Sequence, residues 1–350
     1  MIKTYTYCIK PGIEQQQVLT RLYGICRYIF NKGLEKKMGN LITGNKVSCI
    51  DLMRDIKGQK QEHVWLEECP VQCMQMALRN LDNQYTKFIK GSDNPLFRNK
   101  YKEQSIQFSQ GVVVKFKNNT IKLPRVGIIP CIYDRRFAGK IKMVTVTKTL
   151  TEKYVVKVIV DTGHVVHRKS PVHSIGISTG INTLYALSNG TRVSQPERIT
   201  KSERNVAIQQ RSLYRKQKAS KRAVKQLKVL TQAKEKLCNQ KRDYMHKVST
   251  KIIKDYDTIV IEKGYDQLRE MLRYKSLWYG NNIVVIGVCS SCPDICSTCG
   301  TINNEEKLAT WVCKNCDSAQ NKNNNYALNV KKIGQRKLPS VANSVGNPVD

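Results

Sequence analysis

Apolar and polar residues alternate from Ile2 to Lys10, the two-residue period of a half-buried strand, and Pro11-Gly12 ends the run. The period then lengthens. Val18, Leu22, Ile25, Ile29 and Leu34 recur at steps of 3 to 5, and Met74, Leu78, Leu81, Tyr85 and Phe88 at steps of 3 and 4, which predicts core-facing helices over residues 14–34 and 71–89. From residue 111 to 166 the runs VVVKFKNNTIKLP, KIKMVTVTKTL and TEKYVVKVIV are rich in β-branched residues, predicting a small antiparallel sheet or barrel. The opening strand can join that sheet, which makes the helices an insertion into it. Residues 161–171 read as a linker.

A second unit starts near Ser174. SIGISTGINTLYALSNG holds two β-like runs around Gly180, with a hairpin signal at Asn189-Gly190. No Gly or Pro occurs between Glu197 and Lys263, so one long helix or two is expected, with an apolar stripe through Val224, Leu227, Leu230, Leu237, Tyr244, Val248 and Ile252. YDTIVIE at 256–262 and NIVVIGVC at 282–289 read as two buried parallel strands, joined by a short helical crossover at 266–279.

Charge narrows the function. Lys and Arg number 60 against 27 Asp and Glu, a formal net charge of +33, and residues 201–255 alone hold 17 basic against 4 acidic residues. An excess of one sign on this scale repels itself unless a polyanion compensates it. No run reaches the roughly 18 apolar residues of a membrane span, and the N-terminus lacks the apolar segment of a secretion signal. Thirteen cysteines, an odd number in a long basic chain, fit a reducing cytoplasm better than a disulfide framework.

Four cysteines have a chemical pattern. Cys296-Ser-Thr-Cys299 and Cys313-Lys-Asn-Cys316 are Cys-x-x-Cys pairs with 13 residues between Cys299 and Cys313, the spacing of a zinc ribbon. Four thiolates close a tetrahedron, so the ion is structural. Cys289 and Cys292 form a rival pair, read as buried or free thiols. Cys8, Cys26, Cys49, Cys69, Cys73, Cys131 and Cys238 are scattered and read as small hydrophobes.

Taken in order, several segments resemble one family, the transposon-encoded RNA-guided nucleases called TnpB, relatives of type V CRISPR effectors. They are Gly24-Ile-Cys-Arg-Tyr-Ile-Phe-Asn31, Trp65-Leu66, Ala77-Leu-Arg-Asn-Leu-Asp82, Pro95-Leu-Phe-Arg98, Leu123-Pro124, Gly139-Lys-Ile-Lys142, Tyr274-Lys275 with Trp278-Tyr-Gly280, and the cysteine pairs. The resemblance covers nearly the whole chain. It implies an α+β multidomain protein: a β-barrel (residues 1–12 and 105–168) with a helical recognition insertion (13–104), a RuvC-like RNase H-like domain (172–288 and 318–335) interrupted by a zinc ribbon (289–317), and a flexible tail (336–350).

A RuvC-type nuclease needs three carboxylates converging on two divalent cations. The family's first motif, Gly-Ile-Asp-Leu-Gly-Ile, stands here as Gly176-Ile-Ser178-Thr-Gly-Ile181, so Ser178 replaces the Asp. Glu262, after the YDTIVIE strand, is the second carboxylate. The third motif, Asp-Arg-Asp-x-Asn-Ala-Ala-x-Asn, is Asn321-Lys-Asn323-Asn-Asn325-Tyr326-Ala-Leu-Asn329, with Asn323, or alternatively Asn321, at the ligand position. Asp317 is the nearest leftover acid and reads as a surface residue. Only 11 residues separate Glu262 from Tyr274-Lys275, where the family carries a longer segment that helps cover the cleft.

The resemblance therefore implies the nuclease-dead repressor branch of the family (TldR): a protein that keeps a guide RNA, binds matching double-stranded DNA beside a short recognition motif, and does not cut. No catalytic Mg²⁺ is expected. Lys216, Lys218, Lys221, Arg222, Lys225 and Lys228 are candidates for phosphate contacts to RNA or heteroduplex, and Arg135, Arg136, Lys140 and Lys142 for the scaffold-RNA side. Tyr23, Tyr28 and Tyr85 either touch DNA or pack in the core. The expected form is a monomer on one RNA in the bacterial cytoplasm, associated with the nucleoid. An active endonuclease and a guide-free basic transposition accessory are the alternatives.

Overall fold

The computed structural model describes residues 1–42, 47–91, 93–170, 172–180, 183–218, 220–264, 266–287, 289, 292–302 and 309–337, in two units divided between His164 and Val165. The alternating run at the start of the first unit is β1 (Ile2–Ile9), which turns Tyr7 and Ile9 inward. Three helices follow, α1 (Ile13–Ile42), α2 (Cys49–Glu62) and α3 (Val71–Ile89), with a 3-10 turn at Val64–Glu68 between the last two. Six strands complete the unit: β2 (Gln104–Phe108), β3 (Val113–Lys115), β4 (Thr120–Leu123), β5 (Gly127–Ile132), β6 (Lys140–Lys148) and β7 (Tyr154–Asp161).

All seven strands form one antiparallel sheet in the order β2-β6-β7-β1-β5-β4-β3. The opening strand thus lies inside a sheet whose other strands come after the helices. The expected barrel is open among the described residues, because β2 and β3 are edges that do not pair with each other. β3 is 3 residues long and β4 is 4, which offers little backbone for the staggered pairing that closure requires. One core joins helices and sheet, centred on Leu19, Leu22 and Phe30 of α1, Leu78 and Leu81 of α3, and Phe108, Val144 and Val156 of the sheet. Burying each such side chain contributes about 1.5–3 kcal/mol.

The second unit opens with β8 (Ser174–Gly180), β9 (Thr183–Leu187) and β10 (Arg192–Val193). The basic stretch is two helices, α4 (Glu197–Tyr214) and α5 (Lys221–Asp255), which end and restart across residues 215–220. They run antiparallel, tied by Gln226 to Gln209 (2.8 Å) and by the Lys241–Glu203 ion pair (2.6 Å). Their predicted apolar stripe holds only in part. Leu230 and Ile252 are buried, whereas Val224 and Leu227 are 61% and 51% exposed at the start of α5, which Gln226 ties to α4.

β11 (Thr258–Glu262), α6 (Asp266–Tyr279) and β12 (Asn282–Ile286) form the predicted crossover, with β8, β11 and β12 parallel. The sheet order β10-β9-β8-β11-β12 is a hairpin-linked half extended by parallel strands. β13 (Thr310–Val312) and β14 (Ala319–Asn321) pair with each other, so the ribbon's pairing continues past the expected boundary at 317. α7 (Lys322–Gln335) follows and packs on β8 and β11. Of the expected tail, residues 338–350 lie outside the described residues, as does Ile181 of the first motif.

Candidate functional site

Parallel pairing aligns Ile177 of β8 with Ile261 of β11, so Ser178 and Glu262 occupy the next register positions at the ends of neighbouring strands. α7 reaches this point because two glycines let it sit directly on the sheet. A Cβ on Gly176 would lie 2.2 Å from the Ala327 carbonyl oxygen, and one on Gly334 2.2 Å from Val260 Cγ1. The first turn of α7 then brings Asn323 to Ser178, whose hydroxyl donates to the Asn323 main-chain oxygen at 3.5 Å. Asn321, the alternative third position, caps α7: its Oδ1 accepts from the Asn324 amide.

Glu262 is 2% exposed, Ser178 0% and Asn323 8%. Both carboxylate oxygens of Glu262 are engaged. Oε1 accepts from the Cys289 amide at 3.1 Å, and Oε2 accepts from the Tyr326 hydroxyl at 2.7 Å. Tyr326 lies three residues beyond Asn323, on the same face of α7. Its role escaped sequence reading, where it is an aromatic inside an Asn-rich run with no partner in sight.

The four ribbon cysteines converge, each sulfur within 4.8 Å of the others. Cys296 and Cys316 sulfurs are 3.7 Å apart, and Cys299 and Cys313 sulfurs 3.5 Å. A zinc–sulfur bond of about 2.3 Å puts the edge of a tetrahedron near 3.8 Å, so the set fits Zn²⁺. Each knuckle closes on a left-handed residue, Gly300 (φ 82°) in the first and Asp317 (φ 52°) in the second. Asp317 is exposed, as expected, and its amide donates to the Cys313 carbonyl at 2.9 Å. The Thr301 hydroxyl, 3.4 Å from Cys299 Sγ, and the Thr301 amide hold the Cys299 thiol down at about 5, favouring the thiolate a metal needs.

Asparagines fasten the ribbon to α7. Asn325 Nδ2 donates to the carbonyls of Pro293 and Ile295, its Oδ1 accepts from the Ser297 amide, and Asn329 Nδ2 donates to those of Cys292 and Ile295. Cys289 and Cys292 are not free thiols: they form a disulfide, with Cα atoms 5.4 Å apart. The reading as small hydrophobes holds for Cys26, Cys69, Cys73 and Cys131, which are buried, and fails for the exposed Cys8 and Cys238.

The basic candidates lie on surfaces. Lys218, Lys221, Arg222, Lys225 and Lys228 are exposed at the turn between α4 and α5 and along the start of α5. Lys216 is half-buried, its amine donating to Ser212 Oγ at 3.0 Å. Arg135, Arg136, Lys140 and Lys142 are exposed in the first unit; Arg135 pairs with Asp134 at 2.8 Å and Lys142 with Asp161 at 3.6 Å. Tyr23 is core, 3% exposed. Tyr85 packs under the Lys37 amine, and Tyr28 meets Trp65 edge-on at 5.1 Å.

Sequence reading missed a groove of about 500 Å³ lined by Arg27, Lys87, Phe97, Arg98 and Lys102. Asn31 builds it, accepting from the Arg98 amide at 2.8 Å and donating to its carbonyl at 3.0 Å. Phe97 remains 56% exposed. The signal was present as two separate segments, one ending at Asn31 and one at Arg98, with nothing local to join them.

Strand order, buried strand-end carboxylate and four-cysteine ribbon define the class: an α+β, RuvC-like fold with an insertion whose four cysteines could hold a metal ion. Family comparison carries this further. Residues 1–45, which include β1 and α1, match a helix-turn-helix domain family of IS605 OrfB proteins. Residues 153–265 match the IS605 OrfB family described as a probable transposase, and residues 265–330 the Cas12f1-like TNB domain. Over these three segments the chain is similar to the TnpB/IS605 transposase family. It is 26% identical to the putative RNA-guided DNA endonuclease InsQ of Escherichia coli (strain K12), over 96% of this chain and 93% of that protein. A putative RNA-guided DNA endonuclease of Streptomyces pristinaespiralis is 24% identical, over 95% and 89%. The fold is shared with Cas12f1 in its complex with sgRNA and target DNA, at a TM-score of 0.60 and 14% identity over 91% of this chain and 83% of that one.

Proposed function

We propose that this chain is an RNA-guided DNA-binding protein with an inactivated nuclease site, which represses transcription when its target overlaps a promoter. Guide RNA and target DNA are the polyanions that a charge of +33 calls for, and they are the partners of the Cas12f1 complex whose fold it shares. Base pairing then reads the sequence, and the protein supplies charge and shape.

The observation that carries the loss of cutting is the state of Glu262. It is the one acid among the three positions, and a hydroxyl and an amide already take its two oxygens. Hard Mg²⁺ parts reluctantly with water and requires anionic oxygen ligands. Ser178 and Asn323 supply none, so this donor set does not fit a pair of divalent cations. The four-cysteine ribbon, by contrast, fits a structural Zn²⁺.

The test programs the protein with a guide and measures binding and Mg²⁺-dependent cleavage on the same duplex. Tight, guide-dependent binding with no product is expected, and efficient cleavage would overturn the reading. A second reading, an active endonuclease, is favoured by the names of both relatives; cleavage that saturates with added Mn²⁺ would establish it. Sequencing RNA that copurifies separates both from a guide-free accessory.

A further inference from the structure

We propose that Tyr326 fills the space a cation would take beside Glu262, and that Glu262 now works as a structural acceptor holding α7 and the chain leading into the ribbon to the end of β11. This rests on the nuclease-dead reading and adds a cause: missing carboxylates are only part of the loss.

The geometry has three parts. At 2.7 Å, the bond from the Tyr326 hydroxyl to Oε2 has the length of a charge-assisted bond between O–H and carboxylate. The second oxygen takes the Cys289 amide, so the side chain spans between two separate pieces of chain. All of this is dry: Glu262 is 2% exposed, and each of its buried oxygens has a donor, as burial of a polar group requires. A methyl group at position 326 would be too short to reach Oε2 and would leave that oxygen open to a cation or water.

Ser178 adds a second obstacle. Its hydroxyl donates to the Asn323 main-chain oxygen, and the pocket around it is closed, with Ser178 itself 0% exposed. A carboxylate placed at 178 would set an acceptor against that carbonyl oxygen. Restoring acids therefore adds charge to a site without room or partners for an ion.

The experiment titrates Mn²⁺ into the RNA-free full chain, with zinc retained, and follows bound Mn²⁺ by electron paramagnetic resonance. Three forms are compared: the natural protein, Ser178→Asp/Asn323→Asp, and the same pair with Tyr326→Ala. The pair is expected to bind no better than the natural protein, and the triple variant to gain affinity by about tenfold or more, the scale on which the shell around a metal sets its binding. Equal binding by the pair and the triple variant, or no gain in the triple variant, would overturn the role of Tyr326. Mn²⁺ bound at Glu262 in the natural protein would instead overturn the nuclease-dead reading itself. A fourth form, Tyr326→Phe, keeps the ring and removes only the hydroxyl. It is expected to melt at lower temperature than the natural protein with zinc retained and no other divalent cation added, and an unchanged melting temperature would overturn the structural role of the Glu262–Tyr326 bond even if the triple variant does not fold.

Discussion

Lys275 shows how a single side chain is set by its surroundings. It is 4% exposed on α6, and its amine donates to the His246 carbonyl, Ser249 Oγ and Thr250 Oγ1 on α5 at 2.8, 2.7 and 2.7 Å. No carboxylate faces it in those bonds, and burial pulls its pKa from 10.5 down to about 8. Between about pH 8 and 10.5 the unfolded chain therefore binds more protons at this residue than the folded one, and stability from this group rises with pH across that window. Below it both states carry the proton and the contribution is flat. Comparing melting temperatures at the two ends of the window for the natural protein and Lys275→Met should show an increment in the former that the variant lacks; identical pH profiles would contradict the assignment.

Among the elements, the ribbon depends most on something other than a core. Its own apolar cluster is Cys296, Trp311 and Cys313, with Cys316 packed against it, too little buried surface to order a knuckle without an ion. Asn325 and Asn329 tie it to α7, which rests on the sheet. Chelation should therefore make residues 296–316 sensitive to protease while Met1–His164 remains resistant, because that unit has an independent core. Limited proteolysis with and without a strong zinc chelator checks this, and uniform resistance would argue against a metal-dependent ribbon. α2 illustrates the reverse case, an element with a clear local signal that periodicity does not reveal. Ser48 and Asp51 form a reciprocal cap, with Ser48 Oγ accepting from the Asp51 amide and Asp51 Oδ2 from the Ser48 amide. Such a cap contributes about 1 kcal/mol.

For the whole molecule, charge and its placement determine where the proposed guide RNA would be held. Lys218, Lys221, Arg222, Lys225 and Lys228 are exposed along the start of α5 and the turn before it. Each residue that neutralises a phosphate contributes about 0.7 to the slope of log affinity against log salt for single strands and about 0.9 for a duplex. Replacing all five with Gln should flatten that slope for guide RNA by roughly 3 to 4. An unchanged slope would move the RNA contact elsewhere, to the basic surface of the first unit or to its groove. Among the described residues no helix is long and apolar enough to cross a membrane.

What the sequence determined by itself was everything with a local signature. Two-residue and helical periods placed β1, α1, α3 and the β11–α6–β12 crossover, and cysteine spacing marked the ribbon ligands, because those patterns reflect backbone geometry over a few residues. Ordered motifs along the chain located Ser178, Glu262 and Asn323 as related positions. Tertiary structure alone decided which groups those positions meet. Glu262 and Tyr326 are 64 residues apart in the chain, and Ser178 and Asn323 are 145 apart; no periodicity encodes such pairs. The open edges of the first sheet and the exposed start of the α5 stripe share that origin: each depends on which distant element arrives alongside, and only the packed chain fixes that.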